Sequence, residues 1–261
     1  MKFLFIGDVF AKSGRSVLAN RLDKLNGIYK WDVCIANAEN AAGGKGINYN
    51  VADEIFESGI DAITLGNHTW SRKEILNFID STDKIIRPSN YPKGVPGKGR
   101  LIIEKNGIKI GIVNLLGRIY MDSNVECPFR TADRDISILK QQCKIIFVDF
   151  HAEATSEKVA LANYLDGRVS AVVGTHTHVQ TADEKILEKG TAYITDVGMT
   201  GPEEGIIGVD KDLIIKKFLT GMPAYFEPAK GRASINAVII DIDENTGHAR
   251  SIQRINESYL S

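Results

Sequence analysis

Residues 2–8 have the sequence KFLFIGD, in which a run of apolar residues ends at a glycine and a carboxylate. The run has the length and composition of a buried β-strand over residues 2–7. It is followed by an amphipathic segment, residues 13–27, whose apolar positions repeat with helical spacing up to a glycine. The beginning of the chain therefore predicts a strand, a polar turn and a helix, which is the repeating unit of an α/β fold.

The same alternation of short apolar runs and amphipathic segments continues along the chain. We predict further strands at residues 32–36, 62–65, 101–105, 108–114, 144–150, 171–174, 192–195, 234–242 and 249–254. We predict further helices at residues 51–58, 72–79, 131–142 and 157–165, and loops at residues 87–99, 116–131 and 196–208. Turn sequences at residues 106–107 and 245–247 predict β-hairpins, which favours a two-sheet β-sandwich flanked by helices over a purely parallel sheet. No repeat or linker divides the chain, so we expect a single domain over residues 1–261.

Composition and charge are those of an ordinary globular protein. Hydrophobic residues make up 43% of the chain, and 32 basic against 33 acidic residues give a net charge of -1. No basic tract stands out, so a small nucleotide or a strand end is a better expected ligand than a long duplex. The sequence shows neither a signal-peptide pattern nor a membrane span, which predicts a cytoplasmic protein that binds no membrane. We expect Cys34, Cys127 and Cys143 to be free thiols.

Side chains that can bind metal ions follow several of the predicted strands. They are Asp8 after the first strand, Asn37, Glu39 and Asn40 after the second, Asn67 and His68 after the third, His151 after residues 144–150, and His176 and His178 after residues 171–174. In α/β sheets, ligand sites collect at the carboxyl ends of the strands, where several loops converge. The fifth histidine, His248, lies in the terminal hairpin, and we expect it at the surface.

Each of these signals is weak alone, but together they predict a metal site. Asp8 by itself would most often cap a helix, and a single His151 would most often be a hydrogen-bonded structural residue. His176 and His178 are alternate residues of an extended segment, so they share a face. No cysteine accompanies these candidate ligands, which argues against structural zinc. Imidazole, carboxylate and amide ligands favour iron, manganese or zinc in an open site, where one shared carboxylate can bridge two ions about 3.5–4 Å apart.

The order of these motifs resembles that of the calcineurin-like metallophosphoesterases. The resemblance rests on Asp8, the turn 66–68, His151 and the GTHTH segment at residues 174–178. Two positions depart from the superfamily pattern: Phe10 stands where a metal-binding histidine is usual, and NAEN at residues 37–40 replaces the usual Gly-Asp-x-x-Asp. These departures, together with residues 127–129 and 196–202, resemble the YmdB branch of bacterial phosphodiesterases over essentially the whole chain.

This resemblance implies a metallophosphoesterase fold and a site with two metal ions, iron or manganese. It implies that Glu39 bridges both ions, that Asp8, Asn40 and His178 complete one, and that Asn67, His151 and His176 complete the other. It implies that His68 is catalytic and protonates the leaving alkoxide. The implied activity is hydrolysis of small cyclic nucleotides, 2′,3′-cyclic and by extension 3′,5′-cyclic, through attack of a metal-bridging hydroxide. Because Phe10 has no lone pair, the amide oxygen of Asn40 is the candidate for the missing ligand.

Other interpretations of the sequence are open. Amidohydrolases also use a His-x-His pair, but in an early strand of a (β/α)₈ barrel, whereas here the pair begins at residue 176. A metal-dependent nucleotide-sensing module with little turnover is the non-enzymatic alternative. RNA ends are a second candidate ligand, and homo-oligomerisation is not decided by the sequence. Lys45 in the glycine-rich segment 41–46, Arg118 and Arg130 are candidates for phosphate contacts, and Thr200 for the pocket wall.

Overall fold

The computed structural model describes residues 1–122 and 124–259. The predicted domain of residues 1–261 extends two residues past this part, and Ser123 of the predicted loop 116–131 also lies outside it. The α-helices are α1 (Ala11–Tyr29), α2 (Tyr49–Glu57), α3 (Pro128–Leu139), α4 (Thr155–Leu165) and α5 (Lys211–Thr220). The strands are β1 (Lys2–Ile6), β2 (Asp8–Val9), β3 (Val33–Asn37), β4 (Ala62–Thr64), β5 (Ile85–Ile86), β6 (Arg100–Lys105), β7 (Ile108–Leu116), β8 (Ile145–His151), β9 (Ala171–Thr175), β10 (Lys185–Ile186), β11 (Ala192–Ile194), β12 (Met199–Pro202), β13 (Ala233–Ile242) and β14 (Ala249–Tyr259).

The strands form two mixed sheets, as the hairpins beside β-α units predict. The first sheet has the order β2-β12-β13-β1-β3-β4-β5, and β14 pairs with β13. The second sheet has the order β10-β11-β9-β8-β7-β6. In the first sheet β1, β3, β4 and β5 are parallel, and in the second β7, β8, β9 and β11 are parallel. The predicted two-sheet sandwich is confirmed, and the (β/α)₈ barrel is excluded.

The two sheets pack face to face, with helices on their outer faces. Along β1 the side chains of Phe3 and Phe5 point into the core between the sheets, while Leu4 and Ile6 point toward the helices. The Phe5 ring stacks on that of Phe147 from β8, with ring centroids 5.4 Å apart. Both faces of the strand are buried, which explains why its sequence is continuously apolar.

Several predictions of secondary structure are wrong in detail. The helix predicted at residues 72–79 is a 3₁₀ helix, Lys73–Asn77. Its neighbourhood buries Ile75 and Phe78, which are three residues apart and therefore suit the 3₁₀ repeat. The helix predicted after residue 131 begins at Pro128, where proline occupies the first turn and lacks only a donor that the helix would not use.

The chain between residues 196 and 220 holds two elements that the sequence analysis does not predict. The predicted loop 196–208 contains β12, which pairs with β2 and with β13. Helix α5 follows; the Asp210 carboxylate accepts hydrogen bonds from two amides of its first turn, and Gly221 ends it with φ 67°. These are ordinary start and stop signals. The helix buries only Ile214, so its apolar residues lack a clear helical pattern.

The predicted hairpin turn and the predicted free cysteines are confirmed. The 106–107 turn joins β6 and β7, with positive φ at both residues, as a two-residue hairpin turn requires. Cys34 and Cys143 are buried, Cys127 is half-buried, and all three are free. None of the helices described has both the length and the apolar composition needed to cross a bilayer.

Strand register brings the carboxyl ends of the parallel strands together. Asn37 at the end of β3 lies opposite Thr64 at the end of β4. In the second sheet, His151 at the end of β8 lies opposite Thr175 at the end of β9. Loops that leave these ends therefore start from fixed, neighbouring points, and the two sheets present them on the same side of the molecule.

Candidate metal centre

Four ligand atoms from both sheets converge around one point. The Nε2 atom of His151 lies 3.0 Å from Glu39 Oε1, 3.0 Å from Asn67 Oδ1 and 3.0 Å from His176 Nδ1. Glu39 and His151 are fully buried. The ligand atoms of Glu39, His151 and His176 all lie within 4.8 Å of one another. The structure thus brings together four of the residues that the sequence singles out.

Burial keeps the imidazole rings of His151 and His176 neutral. Burial lowers the pKa of His151 to about 4, although the Asp8 carboxylate opposes this effect. Burial, with His151 alongside, lowers the pKa of His176 to about 3. Both rings are therefore neutral at pH 7, and each has one N–H and one lone pair.

Hydrogen bonds decide which nitrogen of each ring carries the proton. The Thr175 hydroxyl donates to Asp149 Oδ1 at 2.7 Å, so its oxygen accepts from His151 Nδ1–H at 2.9 Å. The Glu153 carboxylate lies 3.2 Å from His176 Nε2 and accepts a hydrogen bond from its N–H. The lone pairs of His151 Nε2 and His176 Nδ1 then point toward the convergent point.

This arrangement suits a metal ion. Two imidazole lone pairs, a carboxylate oxygen and an amide oxygen face one another about a single point, and none carries a proton to share. Four such atoms repel one another, and a cation between them removes the repulsion. The donor set of nitrogen and oxygen is one that first-row transition metals accept in open sites.

A second group of ligand atoms shares the Glu39 carboxylate with the first. The Asn40 amide nitrogen is 3.4 Å from Asp8 Oδ1, 3.3 Å from Glu39 Oε1 and 3.1 Å from His178 Nε2. Rotation of the amide by 180° exchanges its two terminal atoms and places the Asn40 oxygen at the same point. The His178 Nδ1–H donates to the Ile207 carbonyl at 2.9 Å, which leaves its Nε2 lone pair free for this group. Burial raises the pKa of Asp8 despite the nearby His178, and a bound cation would act in the opposite direction.

The turn after β4 fits closely against this centre. Gly66 precedes Asn67 and His68, and a Cβ atom on it would lie 2.5 Å from His151 Cδ2 and still closer to Glu39 Oε2. The backbone N–H of His68 donates to Glu39 Oε2 at 2.8 Å. One turn therefore supplies Asn67 to the centre and also fixes the second oxygen of Glu39. Only glycine leaves room for this approach.

The segment that carries the histidine pair has a strained backbone. His176 has φ 105° and His178 has φ 64°, both in the left-handed region that non-glycine residues rarely adopt. Asp196 holds the segment, because one of its oxygens accepts from Thr177 N at 3.0 Å and from the Lys158 ammonium group at 2.7 Å. Lys158 and Asp196 are both buried, so this ion pair is shielded from water. The hydrogen bond from Thr177 to Asp196 holds the strained backbone between the two histidines in place.

A cavity of about 580 Å³ opens above the ligand groups. Glu39, Asn40, His176 and His178 form part of its lining, and His68 and Lys45 also line it. The His68 Nδ1 atom lies 3.2 Å from the Ser71 hydroxyl, so Nε2 is the ring nitrogen left for a molecule in the cavity. Burial lowers the pKa of His68, the Glu39 carboxylate opposes this effect and Lys45 adds to it.

Phe10 fills the position of the missing histidine by packing. Its ring meets that of His178 edge to face, with centroids 5.7 Å apart, and it is 5% exposed. A Cβ atom on Gly44 or on Gly208 would lie 2.9 Å from the same ring. Phe10 thus supports the ring of His178 sterically and contributes no ligand atom to the second group.

The structure places the remaining candidate residues away from the cavity. Arg118 and Arg130 line a separate depression beside Cys127. Thr200 is fully buried in β12, where its hydroxyl donates to the Asn236 carbonyl at 3.2 Å. The expectation that Thr200 lines the pocket is therefore wrong, because the short strand β12 turns that side chain into the sheet. His248 is exposed, as predicted.

Sequence reasoning missed the residues that orient the ligands. Thr175 lies inside the quoted GTHTH segment, and Glu153 follows His151 by two residues, so their proximity was visible in the sequence. Asp149 accepts hydrogen bonds from Thr64, Thr175 and Asn37, and burial raises its pKa to about 7. Ile207 orients His178 only through its backbone carbonyl, and such a contact cannot be predicted from the residue type.

Comparison with known proteins agrees with this geometry. The family model for YmdB-like proteins matches residues 4–255. The chain belongs to the YmdB-like family. A relative from Bacillus subtilis (strain 168), a 2′,3′-cyclic-nucleotide 2′-phosphodiesterase, is 51% identical over 255 residues, which cover 98% of this chain and 96% of that protein.

Two solved structures superpose on this YmdB-like chain over nearly its whole length. A protein of Thermus thermophilus superposes with a TM-score of 0.93 at 42% identity, covering 99% of both chains. A phosphatase of Mycoplasma pneumoniae superposes with a TM-score of 0.93 at 39% identity, covering 99% of this chain and 93% of the other. The predicted metallophosphoesterase fold is confirmed.

Proposed function

We propose that this YmdB-like protein hydrolyses nucleoside 2′,3′-cyclic phosphates at a centre of two metal ions. The broader class, a phosphoric diester hydrolase, follows from its 51% identity to the Bacillus subtilis 2′,3′-cyclic-nucleotide 2′-phosphodiesterase. The observation that carries the proposal is the pair of ligand groups that share Glu39 on the floor of a cavity. A shared carboxylate between two such groups is the arrangement of two-metal hydrolases.

The donor atoms divide between two ions. One ion would be held by Asn67, His151 and His176, the other by Asp8, Asn40 and His178, and Glu39 would contact both. Bound ions would polarise the phosphoryl oxygens and make a coordinated water more acidic. Neutral imidazole, carboxylate and amide donors without a thiolate favour iron or manganese.

His68 is positioned to handle the proton of the leaving group. It lines the cavity beside the ligand groups but donates its backbone N–H, not its ring, to Glu39. In this proposal its Nε2–H gives a proton to the ribose oxygen that leaves phosphorus. Burial lowers the pKa of His68, and a bound phosphodiester anion would act in the opposite direction, because a neighbouring negative charge favours the charged ring.

The cavity wall offers separate contacts for phosphate and base. Lys45 is exposed on the glycine-rich rim, where its ammonium group can neutralise a phosphate oxygen. Phe10 and Phe226 line the cavity and give apolar surface to a nucleobase. The cavity volume of about 580 Å³ lies within the usual range for small-molecule sites. Because a 3′,5′-cyclic nucleotide has the same size as its 2′,3′-cyclic isomer, we extend the proposal to 3′,5′-cyclic nucleotides as slower substrates.

Substrate turnover tests this proposal. Purified protein loaded with Mn²⁺ is expected to convert 2′,3′-cyclic AMP to adenosine monophosphate and to act more slowly on 3′,5′-cyclic AMP. The measurement is chromatographic product analysis over a time course, with calorimetry to detect binding. Binding of 2′,3′-cyclic AMP without product after hours would contradict the proposal and support a nucleotide-sensing module.

A further inference from the structure

A second, larger groove adjoins the catalytic cavity. It has a volume of about 1010 Å³ and runs beside α1. Gly43 and Pro228 line both this groove and the catalytic cavity, so the two meet at these residues. A molecule whose reacting end occupies the cavity can therefore continue into the groove.

The groove is basic, although the chain as a whole is nearly neutral. Lys12, Arg15, Arg21 and Lys24 of α1 line it, together with Lys230 from the opposite wall. Among the described residues that line the groove there is no carboxylate. Arg15 is paired with Glu54 at 2.7 Å, and the other four cations have no carboxylate within ion-pair distance among residues 1–122 and 124–259. With a net charge of -1 for the whole chain, this concentration of one sign creates a positive local potential.

Helical spacing explains why the sequence shows no basic tract here. The groove is lined by residues 11–13, 15–17, 20, 21 and 24 of α1, and the basic ones among them stand at positions 12, 15, 21 and 24, three or six residues apart. Residues three apart share one face of a helix, while the residues between them point elsewhere. The cations are therefore dispersed in the sequence and adjacent in the fold.

The groove also offers a surface on which bases can stack. The Arg21 guanidinium lies 4.6 Å from the centroid of the Tyr259 ring, and both side chains line the groove. Ser13, Ser16 and Asn20 add hydrogen-bonding groups between the cations. Grooves that bind single-stranded nucleic acid combine positive charge along the backbone with aromatic and arginine surfaces for the bases.

The length of the groove suits a short strand. Residues 12 to 24 of a helix span about 18 Å at about 1.5 Å per residue. At a stacked spacing of about 3.4 Å per nucleotide, this length corresponds to about five nucleotides. A mononucleotide would leave the groove empty.

We propose that the preferred substrate is a single-stranded RNA that ends in a 2′,3′-cyclic phosphate. The terminal cyclic phosphate would occupy the catalytic cavity, and the preceding phosphates would lie along the basic groove. Water adds to phosphorus, one bond from phosphorus to a ribose oxygen breaks, and that oxygen takes a proton, which leaves a terminal phosphomonoester. The reaction that supplies such ends is RNA cleavage by attack of a 2′-hydroxyl on its own phosphodiester. The inference rests on the proposed function, since it names the substrate class of the same site.

Comparison of a pentaribonucleotide 2′,3′-cyclic phosphate with 2′,3′-cyclic AMP tests the inference. The KM of the pentanucleotide is expected to be at least about tenfold lower at low salt. If the groove contacts about three phosphates, the KM of the pentanucleotide should rise about 20-fold between 50 and 200 mM salt. The double variant Arg21→Glu/Lys24→Glu should raise it about tenfold or more, with the kinetics for 2′,3′-cyclic AMP unchanged.

The control is Lys93→Glu/Lys140→Glu, which makes the same charge change at exposed positions outside the groove and should leave both substrates unaffected. Melting curves verify that all variants fold, and fluorescence anisotropy measures binding of the labelled pentanucleotide independently of turnover. Equal KM values for the two substrates, or equal behaviour of the two double variants in kinetics and binding, would overturn the inference. Loss of the proposed function is recognised separately, because wild-type protein would then turn over neither substrate while the binding comparison still tests the groove.

Discussion

Gly66→Ala is expected to reduce phosphodiesterase activity by about 10²-fold or more, because the added methyl group would push the side chains of Glu39 and His151 out of position. The added Cβ would meet His151 Cδ2 at 2.5 Å and Glu39 Oε2 closer still. Neither side chain has room to retreat, since both are fully buried. Glu39 is the carboxylate proposed to contact both ions, so its movement should also lower metal content below two ions per chain. The measurements are kcat/KM for 2′,3′-cyclic AMP and elemental analysis.

The matched control for this variant is Gly27→Ala. No heavy atom lies within 4 Å of a Cβ built on Gly27, which sits inside α1. The control should keep full activity and gain roughly 0.5–1 kcal/mol of stability from the better helix former. If Gly66→Ala retained two ions and wild-type activity, the turn after β4 would have room for a side chain at residue 66. The assigned centre would then be wrong.

His68→Ala is expected to lower kcat for 2′,3′-cyclic AMP by roughly 10²–10⁴-fold, the usual contribution of a positioned general acid. Metal content should stay at the wild-type value, because the residue contributes only its backbone N–H to the Glu39 carboxylate. For a p-nitrophenyl phosphodiester the loss should be much smaller, since that leaving group departs without protonation. The measurement is kcat for both esters in the same preparation.

His248→Ala is the control for this variant, since His248 is an exposed histidine of the terminal hairpin. It should leave both rates unchanged. Equal losses for the two esters in His68→Ala would show that His68 binds substrate or metal and does not protonate the leaving group. A fall in metal content would point to the same conclusion.

The arrangement of the site was predictable because strand ends are fixed points. Asp8, Glu39, Asn67 and His151 each lie at or just after a short apolar run, and parallel strands present such ends on one edge. The histidine pair follows β9 as expected, but the extended segment predicted for it is wrong, because His176 and His178 have positive φ and lie beyond the end of the strand. The positions of strand ends in the sequence therefore predict the residues of the cavity floor. The division of these residues between two ions follows only from the resemblance to a family.

Other parts of the structure depend on tertiary contacts that a sequence does not display. Strand β12 has four residues and includes a glycine and a proline, so its own preference for a strand is weak. It forms because β2 and β13 flank it. The Ile207 carbonyl orients His178 only because the loop before α5 passes that ring. The basic groove likewise requires a wall from residues 228–231, which lie far from α1 in sequence.

Metal titration tests the central claim most directly. Protein stripped with a chelator should have no activity toward 2′,3′-cyclic AMP, and Mn²⁺ or ferrous iron should restore it as metal content rises to two ions per chain. Calcium should not restore activity, because it prefers six to eight oxygen ligands and this centre offers imidazole nitrogens. Activity and elemental analysis are measured on the same samples. Two ions per chain at full activity is the predicted result, and full activity in protein that holds no metal would contradict the account.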